Sequence, residues 1–185
     1  VGGMSLADGE CFTTDGGGNA PVKLVSCEGT RLTIGNDVDW NRWTDKGKSP
    51  ARVCVMEGTG AGQTRLIVSH NGREAQLDRP WTLPPGASSV LHVIPNRFCQ
   101  NLLVGNRFHD TTVVQSYAWA IDWILAGNHF SRAGGPRTCS HGGDPAWRMQ
   151  YLENEIDVGS GYRSISNQQP PQDSQLAVVS GHARA

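Results

Sequence analysis

The most constraining feature of this chain is a short pattern that occurs three times between Leu102 and Ile156. The copies read LLVGNRF at 102–108, ILAGNHF at 124–130 and QYLENEI at 150–156. Their asparagines are 22 and 26 residues apart, a period too long for a coiled coil and too short for a pair of helices. This period suits one turn of a β-solenoid, whose turns bury their apolar faces only against neighbouring turns. The sequence therefore predicts stacked β-coils in this region.

A similar pattern, LTIGNDV at 32–38, predicts that the coil begins near the start of the chain and is then interrupted. The interruption carries hairpin signals, including alternation over 52–56 and the Asn71-Gly72 turn. Four segments follow from this: an N-terminal first coil and loop at 1–50, an inserted antiparallel β module at 51–95, coils at 96–163 and a flexible tail at 164–185.

Charge and hydropathy exclude two classes of partner. The net charge is −1 with both signs mixed along the chain, so no basic stripe predicts nucleic acid or a membrane surface. No stretch approaches the roughly 20 apolar residues that span a bilayer. We expect a soluble protein that binds neither nucleic acid nor membrane.

The five cysteines are widely spread and include no Cys-x-x-Cys pair, which argues against a zinc ribbon or a thioredoxin-type site. Two interpretations remain open: buried small hydrophobes, or a Cys11–Cys27 bridge in a secreted protein. Cys139 and His141 have too few neighbouring ligands to assign a metal.

The repeated asparagines Asn106, Asn128 and Asn154 predict a structural role. At equivalent corners of successive turns, their amides can bond one another and the backbone of the bends. The same spacing places Arg107, His129 and Glu155 at one repeat position, where stacked turns would align them in a column.

Acidic groups near the repeats are candidates for acid–base work on a sugar bond. We predict Asp110, Asp122 and Asp144 as catalytic acids and Arg132 as the cation. Asp122 stands out because it interrupts an apolar stretch. If its carboxylate faces inward it needs a bonding partner, and if it faces outward it lies in a groove beside tryptophans. The alternative is a solvated face of favourable charge pairs.

Aromatic rings at strand or loop positions of adjacent turns suit stacking on pyranose faces. The predicted substrate-binding residues are Tyr117, Trp119, Trp123, His129, Trp147 and Glu155. Tyr151 belongs to the same set of rings, and we expect at least half of the set to be buried in the core instead.

Residues 101–154, above all 104–108, 120–123 and 150–156, resemble the coils of right-handed parallel β-helix proteins of the pectate-lyase-like superfamily. Residues 58–63 with 77–81 resemble a β-rich insert of large secreted or phage-associated β-helix proteins. The resemblance implies a right-handed parallel β-helix, secretion and a polysaccharide or oligosaccharide partner. Its members include lyases, hydrolases, epimerases, tailspikes and adhesins. Three or four turns are few for this superfamily, which implies a partial or truncated member.

Two functions follow. The first is a secreted carbohydrate-active enzyme, a polysaccharide lyase or glycoside hydrolase; in a lyase, a carboxylate-bound Ca²⁺ beside an arginine or lysine would help remove the proton next to a uronate carboxylate. The second is a non-catalytic carbohydrate-binding, adhesin or assembly solenoid fragment. Open coil ends expose strand edges, so we expect a homo-oligomer or further coils.

Overall fold

The computed structural model describes residues 10–15, 19–44, 46–117, 119–139, 146–157 and 178–180. The fold is mostly β, as predicted. The chain divides into two compact units. The first, here called the parallel unit, comprises residues 1–17 and 98–185, and the second, the antiparallel unit, comprises residues 18–97.

The strands are short except for two of eleven residues. In chain order they are β1 (Glu10–Asp15), β2 (Ala20–Val22), β3 (Leu24–Glu28), β4 (Arg31–Ile34), β5 (Ala51–Glu57), β6 (Thr64–Asn71), β7 (Glu74–Leu77), β8 (Val90–Pro95), β9 (Leu102–Val104), β10 (Arg107–Tyr117), β11 (Ala120–Ile121), β12 (Ile124–Ala126), β13 (His129–Cys139), β14 (Ala146–Trp147), β15 (Gln150–Leu152), β16 (Glu155–Asp157) and β17 (Val178–Ser180). A single helical turn, α1, spans Trp40–Trp43, and a 3₁₀ turn spans Asn96–Phe98.

The antiparallel unit is one seven-stranded sheet in the order β2-β8-β5-β6-β7-β4-β3. Its two edge strands, β2 and β3, are consecutive in the chain, so the sheet is nearly closed. The predicted hairpin at Asn71-Gly72 is confirmed: it joins β6 to β7, and Gly72 has the positive φ of 55° that such a tight turn requires.

The core of the antiparallel unit combines alternating aliphatic side chains with three tryptophans. The buried side chains include Leu32, Ile34, Val53, Val55, Leu91, Val93, Trp40, Trp43 and Trp81. The indole Nε1 of Trp40 donates to the Gly72 carbonyl at 2.9 Å. This bond satisfies a buried donor and ties the short helix to the hairpin tip.

The prediction that the coil begins at residues 32–38 was wrong. Strand β4 pairs antiparallel with β3 and β7. The Asn36 side chain accepts from the Lys23 amide at 2.7 Å and donates to the Pro21 carbonyl. A Gly-Asn pair after a strand therefore marks a bend in both parallel and antiparallel sheets. The strand that pairs with it decides which kind of sheet forms.

The parallel unit consists of parallel ladders in which equivalent repeat residues pair. The ladders are β1-β10-β13-β16, with β17 also on β13, then β9-β12-β15, and β11-β14. Register follows the repeat: Leu103 pairs with Leu125, and Leu125 with Tyr151. The stacked rings of Phe108 and Phe130, with centroids 4.9 Å apart, lie in its core.

Two bends recur in each repeat of the parallel unit. Gln100, Asp122 and Arg148 all have φ between 55° and 60°, and Gly105, Gly127 and Glu153 have φ between 50° and 67°. Left-handed backbone is uncommon for residues other than glycine. Its recurrence at spacings of 22 and 26 residues shows that the corners, as well as the strands, repeat.

The three repeated asparagines form a hydrogen-bonded ladder, as predicted. The Asn128 Oδ1 accepts from the backbone and side-chain amides of Asn106, both at 3.0 Å. The Asn154 Oδ1 accepts from the same two groups of Asn128 at 3.1 and 2.9 Å. The remaining amide protons reach strand carbonyls, Asn128 to Leu103 and Asn154 to Leu125.

The structure also bears on the predicted tail, on the cysteines and on membrane spans. The predicted tail at 164–185 lies outside the described residues apart from β17. Cys27 is free in the structure and so does not form the bridge to Cys11 that was one of the two open interpretations. Cys54 and Cys99 are buried. Among the described residues, no helix has the length and apolar character needed to cross a bilayer.

Candidate functional site

The predicted column of Arg107, His129 and Glu155 exists on the outer side of the β10-β13-β16 ladder. Arg107 pairs in register with His129, and His129 with Glu155. Because side chains alternate along a strand, the next position, Phe108 and Phe130, faces the core. The asparagine ladder immediately precedes the column and fixes the backbone from which its side chains project.

A second column lies two residues further along the same face. His109 pairs with Ser131, and Ser131 with Asp157. The period-2 alternation of strands places this column beside the first. The outer face therefore carries two rows of polar groups with both signs of charge.

The two columns meet at His129, Glu155 and Asp157. The His129 Nε2 lies 3.1 Å from the Asp157 Oδ2, and their side chains are 35% and 57% exposed. One side-chain donor atom from each of the three residues lies within 4.8 Å of the other two. The group thus joins a histidine that can carry a proton, a carboxylate that orients it and a second carboxylate.

The same three residues are the group that could hold a metal ion. Their donor set is one imidazole nitrogen and two carboxylates. Ca²⁺ takes six to eight oxygen ligands, whereas imidazole nitrogen suits zinc and other first-row ions. The Ca²⁺ that a lyase would use therefore fits these residues poorly, and a transition metal fits their chemistry better.

Asp122 is held at a corner by an ion pair. Its carboxylate accepts from both Nε and Nη2 of Arg148, the latter at 3.0 Å. Both residues occupy equivalent left-handed bends of adjacent repeats. The forked guanidinium binds this carboxylate, so the structure favours the alternative of a solvated charge pair over the predicted role of Asp122 as a catalytic acid.

Two predicted sugar-stacking rings are core residues. Trp119 is fully buried and Trp123 is 1% exposed. The Trp123 Nε1 donates to the Phe98 carbonyl at 3.0 Å. Their assignment to substrate binding is corrected, because a sugar has no access to a buried ring face.

Of the other predicted residues, two aromatic side chains are partly buried, and the rest lie wholly or partly outside the described part of the chain. Trp147 is half-buried and pairs with Ile121 in register. Tyr151 packs against the core of the parallel unit, and its hydroxyl contacts the Thr138 hydroxyl. The side chains of Asp110, Tyr117 and Arg132 lie outside the described part, although their backbones belong to β10 and β13. Asp144 lies outside the described residues altogether.

Sequence reasoning missed Asp157 as a member of the site. The signal was present, because Glu155 and Asp157 are two residues apart in a strand and must share a face. The sequence did not show which face of that strand is exposed and which is buried.

No protein-family model, curated protein or solved structure matches this chain.

Proposed function

We propose that the parallel unit is a short right-handed parallel β-helix, and that the antiparallel unit is inserted between the coil that ends in β1 and the coil that begins with β9. Three features support this proposal. Ladder pairs are offset by one repeat, bends recur at equivalent positions and asparagines stack at one corner. Together these features match the stacked turns implied by the resemblance to the pectate-lyase-like superfamily.

On this scaffold we propose a secreted carbohydrate-active enzyme, a lyase or glycoside hydrolase that acts on an anionic polysaccharide. The supporting observation is the convergence of His129, Glu155 and Asp157 on an exposed strand face. Acid–base groups on a rigid sheet can be held in reactive geometry.

The roles follow from chemistry and position. His129, paired with Asp157, removes the proton next to the uronate carboxylate in a lyase, or protonates the leaving oxygen in a hydrolase. In a hydrolase, Glu155 is the carboxylate that acts as base or nucleophile. Arg107, next to His129 in the column, binds an anionic group of the substrate. Asp110 and Arg132 belong to the same two strands and remain proposed contributors on the basis of sequence.

The first test of this function is incubation with a panel of neutral and uronate-containing polysaccharides, with and without chelator. New reducing ends accompanied by ultraviolet absorbance of unsaturated products identify a lyase, and new reducing ends alone identify a hydrolase. Loss of activity with chelator and recovery with Zn²⁺ or Mn²⁺ would add a metal to the mechanism. No product from any polysaccharide would contradict the enzymatic proposal.

Substitutions at the site provide a sharper test of the same proposal. We expect His129→Ala and Glu155→Gln each to lower kcat/KM by about 100-fold or more, the usual contribution of a positioned acid or base. Asp122→Asn is the matched control, because that carboxylate is bonded to Arg148. Equal losses in all three variants would show that the site lies elsewhere.

A second function is favoured by a different observation, the aliphatic outer face of the β9-β12-β15 ladder. Leu102, Val104 and Leu152 are 66%, 59% and 47% exposed. Exposed apolar groups in adjacent strands are typical of interaction surfaces. A non-catalytic carbohydrate-binding or assembly module would bind a polysaccharide without products, and light scattering after size exclusion would show its oligomeric state.

A further inference from the structure

The antiparallel unit contains a pocket that is separate from the polar face of the parallel unit. Its volume is about 720 Å³, and it is lined by the glycine-rich loop 58–61 together with Gln63, Arg65, Thr82 and Leu83. Pockets that hold small molecules have volumes of about 300 to 1,000 Å³. The pocket is therefore large enough for a sugar-sized ligand.

A buried guanidinium lies at this pocket. Arg65 is 5% exposed, and its side chain lies over the Trp81 ring with 4.8 Å between Cζ and the ring centroid. Its Nε donates to the Pro80 carbonyl at 3.0 Å, and its Nη1 donates to the Thr64 carbonyl at 2.7 Å. Both acceptors are neutral, so neither bond cancels the positive charge.

The other end of the guanidinium makes only neutral contacts as well. Its Nη2 donates to the Gln63 Oε1 at 3.3 Å and to the Thr82 Oγ1 at 3.4 Å. A guanidinium has five N–H groups, so one proton on Nη1 has no acceptor among the described residues. Burial of an uncompensated charge is costly, and buried cations are normally paired with an anion.

No carboxylate within the described ranges forms an ion pair with Arg65. The Asp78 carboxylate attracts it, but Asp78 accepts from the Leu66 amide and pairs with Arg79 at 2.9 Å. Burial lowers the pKa of the Arg65 guanidinium, and the neighbouring Arg79 and Arg52 cations add to this effect. The charged groups around Arg65 are therefore mostly cations, with Asp78 as the opposing carboxylate.

The glycine-rich loop contains two backbone amides that have no acceptor among the described residues. Thr59 and Gly60 line the pocket, and their backbone amides donate to no acceptor in the described part of the chain. Gly60 has a φ of 84°, between Gly58 at 78° and Gly62 at 86°. Consecutive amides in loops that include left-handed residues form concavities that bind anions.

We propose that this pocket binds an oxyanion, a carboxylate or sulfate group on a sugar-sized ligand, with Arg65 as its counter-charge and the amides of Thr59 and Gly60 as additional donors. This proposal is independent of the reaction proposed for the parallel unit, because it concerns different residues in a different unit.

The test is calorimetric titration of the full chain with sodium galacturonate and with sodium sulfate at constant ionic strength. Galactose, which has the same ring without the carboxylate, is the neutral control. We expect saturable binding of galacturonate or of both anions, and none of galactose. Binding of sulfate alone would still support an oxyanion site but would exclude the sugar ring as a contact. Equal binding of galactose, or no binding of either anion, would overturn the proposal.

Two pairs of variants locate the site. Thr59 is exposed, so Thr59→Glu adds a negative charge at the pocket without disturbing the core. We expect Thr59→Glu to weaken anion binding at least tenfold, whereas the oppositely charged Thr59→Lys should strengthen it. Arg65→Lys should weaken binding at least tenfold, and Arg52→Lys, at a buried arginine that does not line the pocket, should not. Binding unchanged by Thr59→Glu would overturn the proposal even if the Arg65 variant does not fold.

Discussion

At the scale of single residues, Asn128 is the central member of the asparagine ladder in the parallel unit. It is 1% exposed, and it exchanges hydrogen bonds with Asn106 on one side and Asn154 on the other. Its amide also reaches the Leu103 carbonyl. One side chain therefore satisfies buried groups in three successive repeats.

We expect Asn128→Ala to lower the free energy of unfolding of the parallel unit by about 2 to 4 kcal/mol, because it leaves several buried polar groups without partners. Urea unfolding followed by near-ultraviolet circular dichroism measures this change. Asn106→Ala is the matched comparison, since Asn106 is half-buried at the end of the ladder and should cost about 1 kcal/mol. Equal costs at the two positions would show that the ladder does not act as a connected unit.

His92 gives the antiparallel unit a pH dependence. Burial lowers the pKa of its imidazole below the ordinary value of 6.5, and the neighbouring Glu57 partly opposes this. Between the pKa of His92 in the folded chain and its pKa in the unfolded chain, the unfolded chain binds more protons. The contribution of His92 to the free energy of unfolding is therefore fully present above pH 6.5 and is lost as the pH falls below that value.

We therefore expect the melting temperature to fall as the pH is lowered from 7 toward 5, and His92→Gln to reduce this slope. Carboxylates such as Asp37, whose pKa Arg73 lowers, act in a separate and more acidic range. A slope unchanged by His92→Gln would assign the pH dependence to another group.

At the scale of elements, the loop 58–62 is held closed by contacts that glycine permits. A Cβ on Gly60 would lie 2.7 Å from the Leu83 carbonyl oxygen and 2.8 Å from the Gln63 Nε2. The Gln63 side chain holds the same two loop segments together, because its Nε2 donates to the carbonyls of Gly60 and Leu83. The glycine is thus needed for close approach as well as for its positive φ.

Gly60→Ala and Gly62→Ala separate these two requirements. Both glycines are left-handed, with φ of 84° and 86°, but a Cβ at Gly62 meets no atom within 4 Å. We expect Gly62→Ala to cost about 1 to 2 kcal/mol from backbone strain alone. Gly60→Ala should cost about 2 kcal/mol more because of overpacking. Chemical unfolding of the two variants measures the difference, and equal costs would contradict the close packing of this loop.

At the scale of the whole molecule, the chain combines two kinds of sheet with separate cores. Trp81, Leu91 and the other core residues of the antiparallel unit all come from residues 22–93. Those of the parallel unit come from residues 103–133, with partly buried residues as far as 156 packed against them. A core supplied by one continuous segment is the usual condition for independent folding.

We expect the fragment 18–97 to fold alone and to unfold in one cooperative urea transition, with a stability of about 4 to 8 kcal/mol for a domain of this length. Val53→Asp, which places a charge at a fully buried position, is the control that should abolish the transition. A fragment without a cooperative transition would show that the antiparallel unit depends on the rest of the chain.

The candidate site was only partly accessible to sequence reasoning. The spacing of the repeats predicted the Arg107, His129 and Glu155 column, because register follows the period once strands stack. The same reasoning also selected Asp122, which lies in an ion pair with Arg148 at a corner, and Trp119 and Trp123, which are buried. A polar residue in an apolar stretch can face a groove or mark a corner, and local sequence does not distinguish these environments.

The sequence by itself determined the β content, the Asn71-Gly72 hairpin and the asparagine ladder, because each depends on local backbone preference or on a fixed period. Tertiary structure decided the rest. It placed Arg31–Ile34 in the antiparallel sheet, gave Asp122 its partner and brought Leu83 beside the loop 58–62. The physical reason is that pairing partners, buried faces and ion pairs depend on residues distant in the chain, whose approach is fixed only by the packing of the complete sheet.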